Sequence, residues 1–130
     1  MAATYLDSSA LVKLAVEEPE SGALRRYLRR RRPMVSSALA RTEVLRALLL
    51  EGDEGLARGR TVLARVELIR VNDRILHAAA TLLPADMRSL DAIHLATAQQ
   101  LATDLGRVVT YDERMLAAAK RLGIRTVAPT

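Results

Sequence analysis

The chain has 130 residues, half of them hydrophobic, and a formal net charge of +5, which predicts one packed domain over residues 1–130 rather than disorder. It contains no cysteine, so disulfides and thiolate metal sites are excluded. The longest stretch without a charged residue, residues 92–103, is far shorter than the ~20 apolar residues that a bilayer requires, and no signal-like leader is present. We therefore predict a cytoplasmic protein with no membrane segment.

Short strands alternate with helices along the chain. We predict strands at residues 3–6, 34–36, 67–71, 107–111 and 125–128. We predict helices at residues 8–16, 20–32, 38–50, 54–65, 74–83 and 113–122, and a long helix that Ser89 caps and that runs to about residue 102. Gly55 and Gly59 weaken the fourth helix of this set. The alternation is typical of an α/β fold with a mainly parallel sheet and helices on both faces.

Basic residues outnumber acidic ones by 20 to 15, and because only Lys13 and Lys120 are lysines, the other 18 are arginines. Arginine suits bidentate contacts to phosphate, but codon bias in a GC-rich genome explains the excess equally well. The densest run, residues 25–32, fits either a contact to an RNA backbone or a solvated helix face. We favour the solvated face, with Leu24 and Leu28 turned inward.

Four acidic residues differ from the others because each has apolar or small neighbours and lies near a strand end or on a helix flank: Asp7, Glu43, Asp91 and Asp112. Asp7 and Asp112 are suited to cap helices, and Asp91 falls in a first helical turn, so each aspartate has a purely structural explanation. Glu43 falls in the middle of a predicted helix and has none. Because parallel strands end at one edge of a sheet, Asp7 and Asp112 are expected to meet there, with the other two on overhanging helices.

Carboxylates brought together in this way repel one another, by about 4 kcal/mol for a pair 4 Å apart at an effective dielectric of 20. A hard divalent cation relieves the repulsion, and an all-oxygen ligand set favours Mg²⁺ or Mn²⁺. Such a site can activate a water for attack on a phosphodiester. The four acids are therefore a candidate metal site.

The segments that contain these acids resemble the PIN domain family. They read YLDSSALV at residues 5–12, SSALARTEV at 36–44, LDAIHLATA at 90–98 and VTYDERM at 109–115. Within that family the chain is most similar to the VapC toxins of bacterial type II toxin–antitoxin modules, over nearly its whole length.

The resemblance implies a three-layer α/β/α sandwich and a Mg²⁺- or Mn²⁺-dependent endoribonuclease toxin that cleaves RNA. It implies that the catalytic, metal-binding residues are the four acids, Asp7, Glu43, Asp91 and Asp112. It also implies that Ser9 and Thr110 support them, that the protein is a homodimer, and that a small VapB-type antitoxin inhibits it. Arg41 stands where the family often has a smaller side chain, and its role stays open.

Two further residues near the acids are candidates for a role in the site. Arg114, beside Asp112, is placed to hold a scissile phosphate. His94 lies three residues after Asp91, on the same helical face, and we favour a packed or surface histidine over a metal ligand.

Two other functions are weighed against the nuclease. A receiver-type signalling domain fits the length, the fold and an acidic pocket, but it would need an adjacent acid pair after the first strand and a late lysine before a proline. A non-catalytic module that binds RNA or a protein partner is the other alternative.

Overall fold

A five-stranded parallel sheet forms the middle layer of the fold in a computed structural model that describes residues 2–130. Met1, with which the predicted domain begins, lies outside these residues. The strands are β1 (Ala3–Leu6), β2 (Met34–Ser37), β3 (Glu67–Ile69), β4 (Leu105–Val109) and β5 (Thr126–Val127). Their order is β3-β2-β1-β4-β5, and every neighbouring pair is parallel. The predicted α/β fold with a mainly parallel sheet is confirmed.

Helices cover both faces of the sheet. They are α1 (Ser8–Ala15), α2 (Ser21–Leu28), α3 (Ala40–Ala47), α4 (Gly52–Ala64), α5 (Asp73–Ala80), α6 (Ser89–Gln99) and α7 (Glu113–Arg121), with 3₁₀ turns at Leu49–Glu51 and Ala102–Asp104. None of the helices in the described part of the chain is long and apolar enough to cross a membrane.

The strands alternate their side chains between two apolar layers. Leu6 and Val109 pack with buried residues of the first four helices, whereas Tyr5 and Val108 face the layer that contains Ala98 of α6. A third cluster joins α6 to α7 through residues that include Leu95. The chain contains no Phe or Trp and only three Tyr residues. Its core is therefore built mainly from aliphatic side chains.

Two predicted helix boundaries are wrong near the arginine run and near Glu43. The second helix ends at Leu28 rather than residue 32, because the chain turns there to enter β2 and Thr4 donates its hydroxyl to the Arg31 carbonyl. The third helix begins at Ala40 rather than residue 38, since the Ser37 hydroxyl accepts from the backbone N–H of Leu39 in a preceding turn.

The predicted cap at Ser89 is also wrong. Arg88 is the residue before α6 and Ser89 is its first helical residue, with no side-chain cap. Gly59 lets α4 approach the end of α3 closely, because a Cβ there would lie 2.6 Å from Leu48 Cδ1. Gly123, at a φ of +74°, follows the end of α7.

Candidate metal centre

Asp7 and Asp112 lie at the same edge of the sheet. β1 and β4 are parallel neighbours with Leu6 opposite Val109, so the residues that follow them emerge together. Both aspartates also cap helices: Asp7 accepts from the Ala10 N–H, and Asp112 from the Arg114 N–H at 2.9 Å. Capping therefore accounts for only part of the hydrogen-bonding capacity of each carboxylate.

Asp7 is buried and is held by two hydroxyl groups. Ser9 donates to its Oδ1 at 2.6 Å and Thr110 donates to its Oδ2 at 2.5 Å. Burial raises the pKa of Asp7, and the hydrogen bonds from Ser9 and Thr110 oppose that rise only in part. A nearby cation would favour the ionised form. The predicted supporting residues therefore contact the predicted metal ligand directly.

Glu43 is held by a serine and a histidine. The Ser8 hydroxyl donates to its Oε1 at 2.6 Å, and His94 Nε2 lies 2.6 Å from the same oxygen. Burial disfavours the charge of Glu43, but the hydrogen bonds from His94 and Ser8 outweigh it and lower the pKa of this carboxyl. The ionised carboxylate can only accept, so Nε2 carries the hydrogen of this pair.

Asp91 and Asp112 are joined by one guanidinium group. Arg88 Nε donates to Asp91 Oδ2 at 3.1 Å, and its Nη2 donates to Asp112 Oδ2 at 3.0 Å. The hydrogen bond and charge of Asp91, together with the charge of Asp112, raise the pKa of Arg88. Arg88 thus spans α6 and the β4–α7 turn at the rim of the site.

A pocket of about 330 Å³ brings the four predicted acids together. It is lined by Asp7, Ser8, Ser9, Glu43, Arg88, Ser89, Leu90, Asp91, His94 and Asp112. Sequence reasoning did not single out Ser8 or Arg88, although the position of Ser8 next to Asp7 was a usable signal. His94 is packed, as predicted, but it contacts a predicted ligand.

Glu43 does not lie in the middle of a helix, as the sequence interpretation held. It lies in the first turn of α3, where the helix dipole favours an acid, so the structural explanation applies to it as well. Its contacts with Ser8 and His94 inside the pocket are what now connect it to the other acids.

Other predicted residues lie outside this pocket. Arg114 is exposed and lines an adjacent pocket of about 400 Å³ with Arg88 and Asp91, and only its backbone N–H contacts Asp112. Arg41 is exposed on a separate groove. The arginines at 29–32 precede β2 and therefore lie at the edge of the sheet opposite Asp7.

The sequence profile of the PIN domain family matches residues 4–121. The chain belongs to the PIN domain family. It is 63% identical over 130 residues to "Ribonuclease VapC46" of Mycobacterium tuberculosis, with both chains covered completely. It is 43% identical over 129 residues to "Ribonuclease VapC35" of the same species, with 96% of each chain covered. The resemblance to VapC toxins is confirmed, and the receiver-type alternative is excluded.

Solved structures share the fold. A "Toxin-antitoxin complex from Klebsiella pneumoniae" has a TM-score of 0.75 at 22% identity and covers 98% of each chain. The sarcin–ricin loop cleaving toxin VapC20 of Mycobacterium tuberculosis has a TM-score of 0.76 at 18% identity, with 98% of this chain and 100% of that chain covered. The predicted three-layer α/β/α sandwich is therefore confirmed.

The donors in the pocket suit the divalent cation that the family implies. All four are carboxylates, the ligand type that Mg²⁺ and Mn²⁺ prefer, and two already pair with a cationic group, the Arg88 guanidinium. Yet in residues 2–130 no three Asp, Glu, His or Cys side chains converge closely enough to hold a metal ion. The residues fit the cation chemically, and side-chain movement is needed to gather them.

Proposed function

We propose that this protein is a Mg²⁺- or Mn²⁺-dependent endoribonuclease toxin that a cognate VapB-type antitoxin neutralises. Its place among the ribonucleases has the firmest support, because two full-length VapC ribonucleases are 63% and 43% identical to it. The metal requirement, the antitoxin and the assignment of the site residues are our proposals.

Asp7, Glu43, Asp91 and Asp112 would hold the cation, whose chemistry when bound is to polarise a phosphodiester and to acidify water. Ser9 and Thr110 fix the Asp7 carboxylate from two sides. His94 and Ser8 fix Glu43. The chain thus supplies four carboxylates, and hydroxyl groups and one imidazole orient two of them, Asp7 and Glu43.

One observation carries this proposal: the four acids, which are separated by up to 105 positions in the sequence (112 − 7), line a single pocket at the carboxyl edge of a parallel sheet. Ligand sites in open α/β sheets occur at this edge. One buried and one half-buried hydroxyl donor, those of Thr110 and Ser9, are committed to one buried carboxylate, which also indicates a built site rather than chance capping.

RNA cleavage by the purified protein tests the proposal. We expect cutting with Mg²⁺ or Mn²⁺, its loss with EDTA, its return when the cation is restored in excess, and its loss in Asp7→Asn. Asp104→Asn is the matched control, because Asp104 is an exposed aspartate before β4, at the opposite edge, and should leave the rate unchanged. Cutting that persists in EDTA or in Asp7→Asn would contradict the site assignment.

A non-catalytic RNA-binding module predicts a different outcome in the same assay. Such a module would bind RNA with or without the cation and would leave the RNA intact.

We also propose that Arg114 contacts a substrate phosphate. Arg114→Gln should therefore weaken RNA binding while leaving the response of cleavage to EDTA unchanged.

Assembly and location complete the proposal. We infer a cytoplasmic single-domain protein that forms a homodimer. A subunit interface could cover three exposed leucines: Leu76 on α5, Leu83 after it and Leu90 on α6. Light scattering on the purified protein tests the dimer. Co-purification with a small protein encoded next to this chain, and restored growth on its co-expression, test the antitoxin.

A further inference from the structure

The Arg88 side chain donates hydrogen bonds to two carboxylates of the pocket and to no other group within residues 2–130. Its Nε and Nη2 atoms, which belong to one planar group, donate to Asp91 Oδ2 and Asp112 Oδ2. These are two of the four residues proposed to hold the divalent cation. The guanidinium therefore acts as the counter-ion of these two carboxylates.

The Arg88 side chain is less buried than the two carboxylates that it contacts. The Arg88 side chain is 59% exposed, whereas the Asp91 side chain is only 14% exposed. Arg88 precedes α6 in extended backbone and makes no side-chain cap, so α6 does not depend on its side chain. Ion pairs this exposed contribute little, which makes the pairing easy to exchange for another.

The residues that line the pocket carry more negative than positive charge. Arg88 is the only lysine or arginine among the residues that line it, alongside four acids. A divalent cation held by Asp91 and Asp112 would compete with the positive guanidinium for the same two carboxylates, because the two positive groups repel each other. A guanidinium displaced to the rim offers a fork of N–H donors that suits a phosphate.

We propose that Arg88 is an exchangeable internal counter-ion, which holds Asp91 and Asp112 in the metal-free protein and moves to the substrate phosphate when the divalent cation binds. This inference rests on the proposed function, because it takes the two aspartates as metal ligands. It assigns Arg88 a role in substrate binding that the acids cannot perform.

Two measurements on Arg88→Gln test the proposal. Mn²⁺ binding in the absence of RNA, followed by calorimetry, should become about three- to tenfold tighter, because the cation no longer competes with a guanidinium. The KM for RNA at saturating Mn²⁺ should rise about tenfold. Arg88→Lys should lie between the parent and Arg88→Gln in both, since an ammonium cannot span both carboxylates with one planar fork.

Arg121→Gln is the matched control. Arg121 is exposed, lines the adjacent pocket with Arg88, and pairs with neither aspartate, so its loss removes the same charge from the same region. Both constants should stay within twofold of the parent. An equal effect of Arg121→Gln would reduce the result to net charge and overturn the specific role of Arg88.

The possible outcomes distinguish a failure of this inference from a failure of the proposed function. If the parent and Arg88→Gln bind Mn²⁺ equally, the counter-ion role is wrong while the metal site stands, and Arg88 is merely a structural cross-link whose loss lowers the melting temperature. An unchanged KM overturns the phosphate contact. If neither protein binds Mn²⁺, the inference and the proposed metal dependence both fail.

Discussion

The imidazole of His94 lies 2.6 Å from the carboxylate of Glu43, and its other ring nitrogen lies 2.7 Å from the hydroxyl of Tyr5. Tyr5 and His94 are both buried, and their rings meet edge to face at 77°. With Nε2–H donating to Glu43, Nδ1 accepts from the Tyr5 hydroxyl. Glu43 is therefore oriented by a chain of two hydrogen bonds that begins in the core of the protein.

Tyr5→Phe tests this chain of hydrogen bonds. It removes the donor to Nδ1 and leaves a buried nitrogen unpaired, so we expect unfolding free energy to fall by about 1–3 kcal/mol. If Glu43 is oriented through His94, kcat should also fall severalfold with KM unchanged. Urea unfolding and cleavage kinetics measure the two effects. A loss of stability with no change in kcat would mean that His94 only packs.

Tyr27→Phe is the control for that experiment. Its buried hydroxyl finds no hydrogen-bond partner within residues 2–130, so removing the hydroxyl should leave stability unchanged or raise it slightly. Cleavage should not change, because Tyr27 belongs to α2 and does not line the pocket.

The raised pKa of Asp7 predicts a dependence of stability on pH. The folded protein holds this proton to a higher pH than the unfolded chain does, so protonation of Asp7 favours folding. That contribution is fully present below the usual pKa of 3.8 and is lost as the pH rises through the raised value. Asp7→Asn keeps a capping side chain, and its stability relative to the parent should therefore be higher at pH 7 than at pH 4.

Unfolding at several pH values, with and without Mg²⁺, measures this effect. Mg²⁺ should stabilise the parent at pH 7, because the cation favours the ionised carboxylate, and it should stabilise Asp7→Asn much less. Equal pH dependence in both proteins would show that Asp7 is not the group responsible.

Thr110→Val tests how the hydroxyl donors act on Asp7. The substitution removes the hydrogen bond to Oδ2 at nearly constant volume, so we expect a loss of about 1–3 kcal/mol in stability and at least a tenfold lower cleavage rate. Thr4→Val is the matched control. Thr4 is as buried as Thr110, but it lies near the start of β1, away from Asp7, and donates to a backbone carbonyl. It should lose stability but keep its cleavage rate. Equal rates for both variants would remove Thr110 from the site.

The location of the arginine run leads to a further prediction. Arg29 and Arg30 are exposed after the end of α2, at the edge opposite the acids. The double substitution of both by glutamine should leave kcat unchanged and alter KM by less than about twofold at physiological salt, where exposed charges are screened within about 8 Å. A large rise in KM that disappears at high salt would instead support an RNA track along this run.

The alternation of strands with helices and the four acidic segments were sufficient to predict the parallel sheet and the four acids of the pocket. Asp7 and Asp112 could be placed together because parallel neighbouring strands end at one edge, and the structure confirms that reasoning. Glu43 was the weak point of the sequence argument. The start of α3 depends on a turn held by Ser37, a tertiary detail that helical periodicity does not encode.

The partners of the acids could not be predicted in the same way. His94 contacts Glu43 across 51 positions and Arg88 contacts Asp112 across 24, and no local pattern specifies which long side chain reaches which carboxylate. Because Ser89 was expected to cap α6, the sequence interpretation gave Arg88 no role. A basic residue immediately before an acidic helical turn was the signal that sequence reasoning passed over.

The central claim is that the acids at the end of β1 and β4 form a divalent-cation site, and an anomalous diffraction measurement on crystals soaked in Mn²⁺ tests it most directly. The account predicts one or two strong peaks inside the pocket, in contact with Asp7 and at least one more of the four carboxylates, with the Arg88 side chain moved away from Asp91 and Asp112. A peak only elsewhere on the surface, or no peak at saturating Mn²⁺, would contradict it.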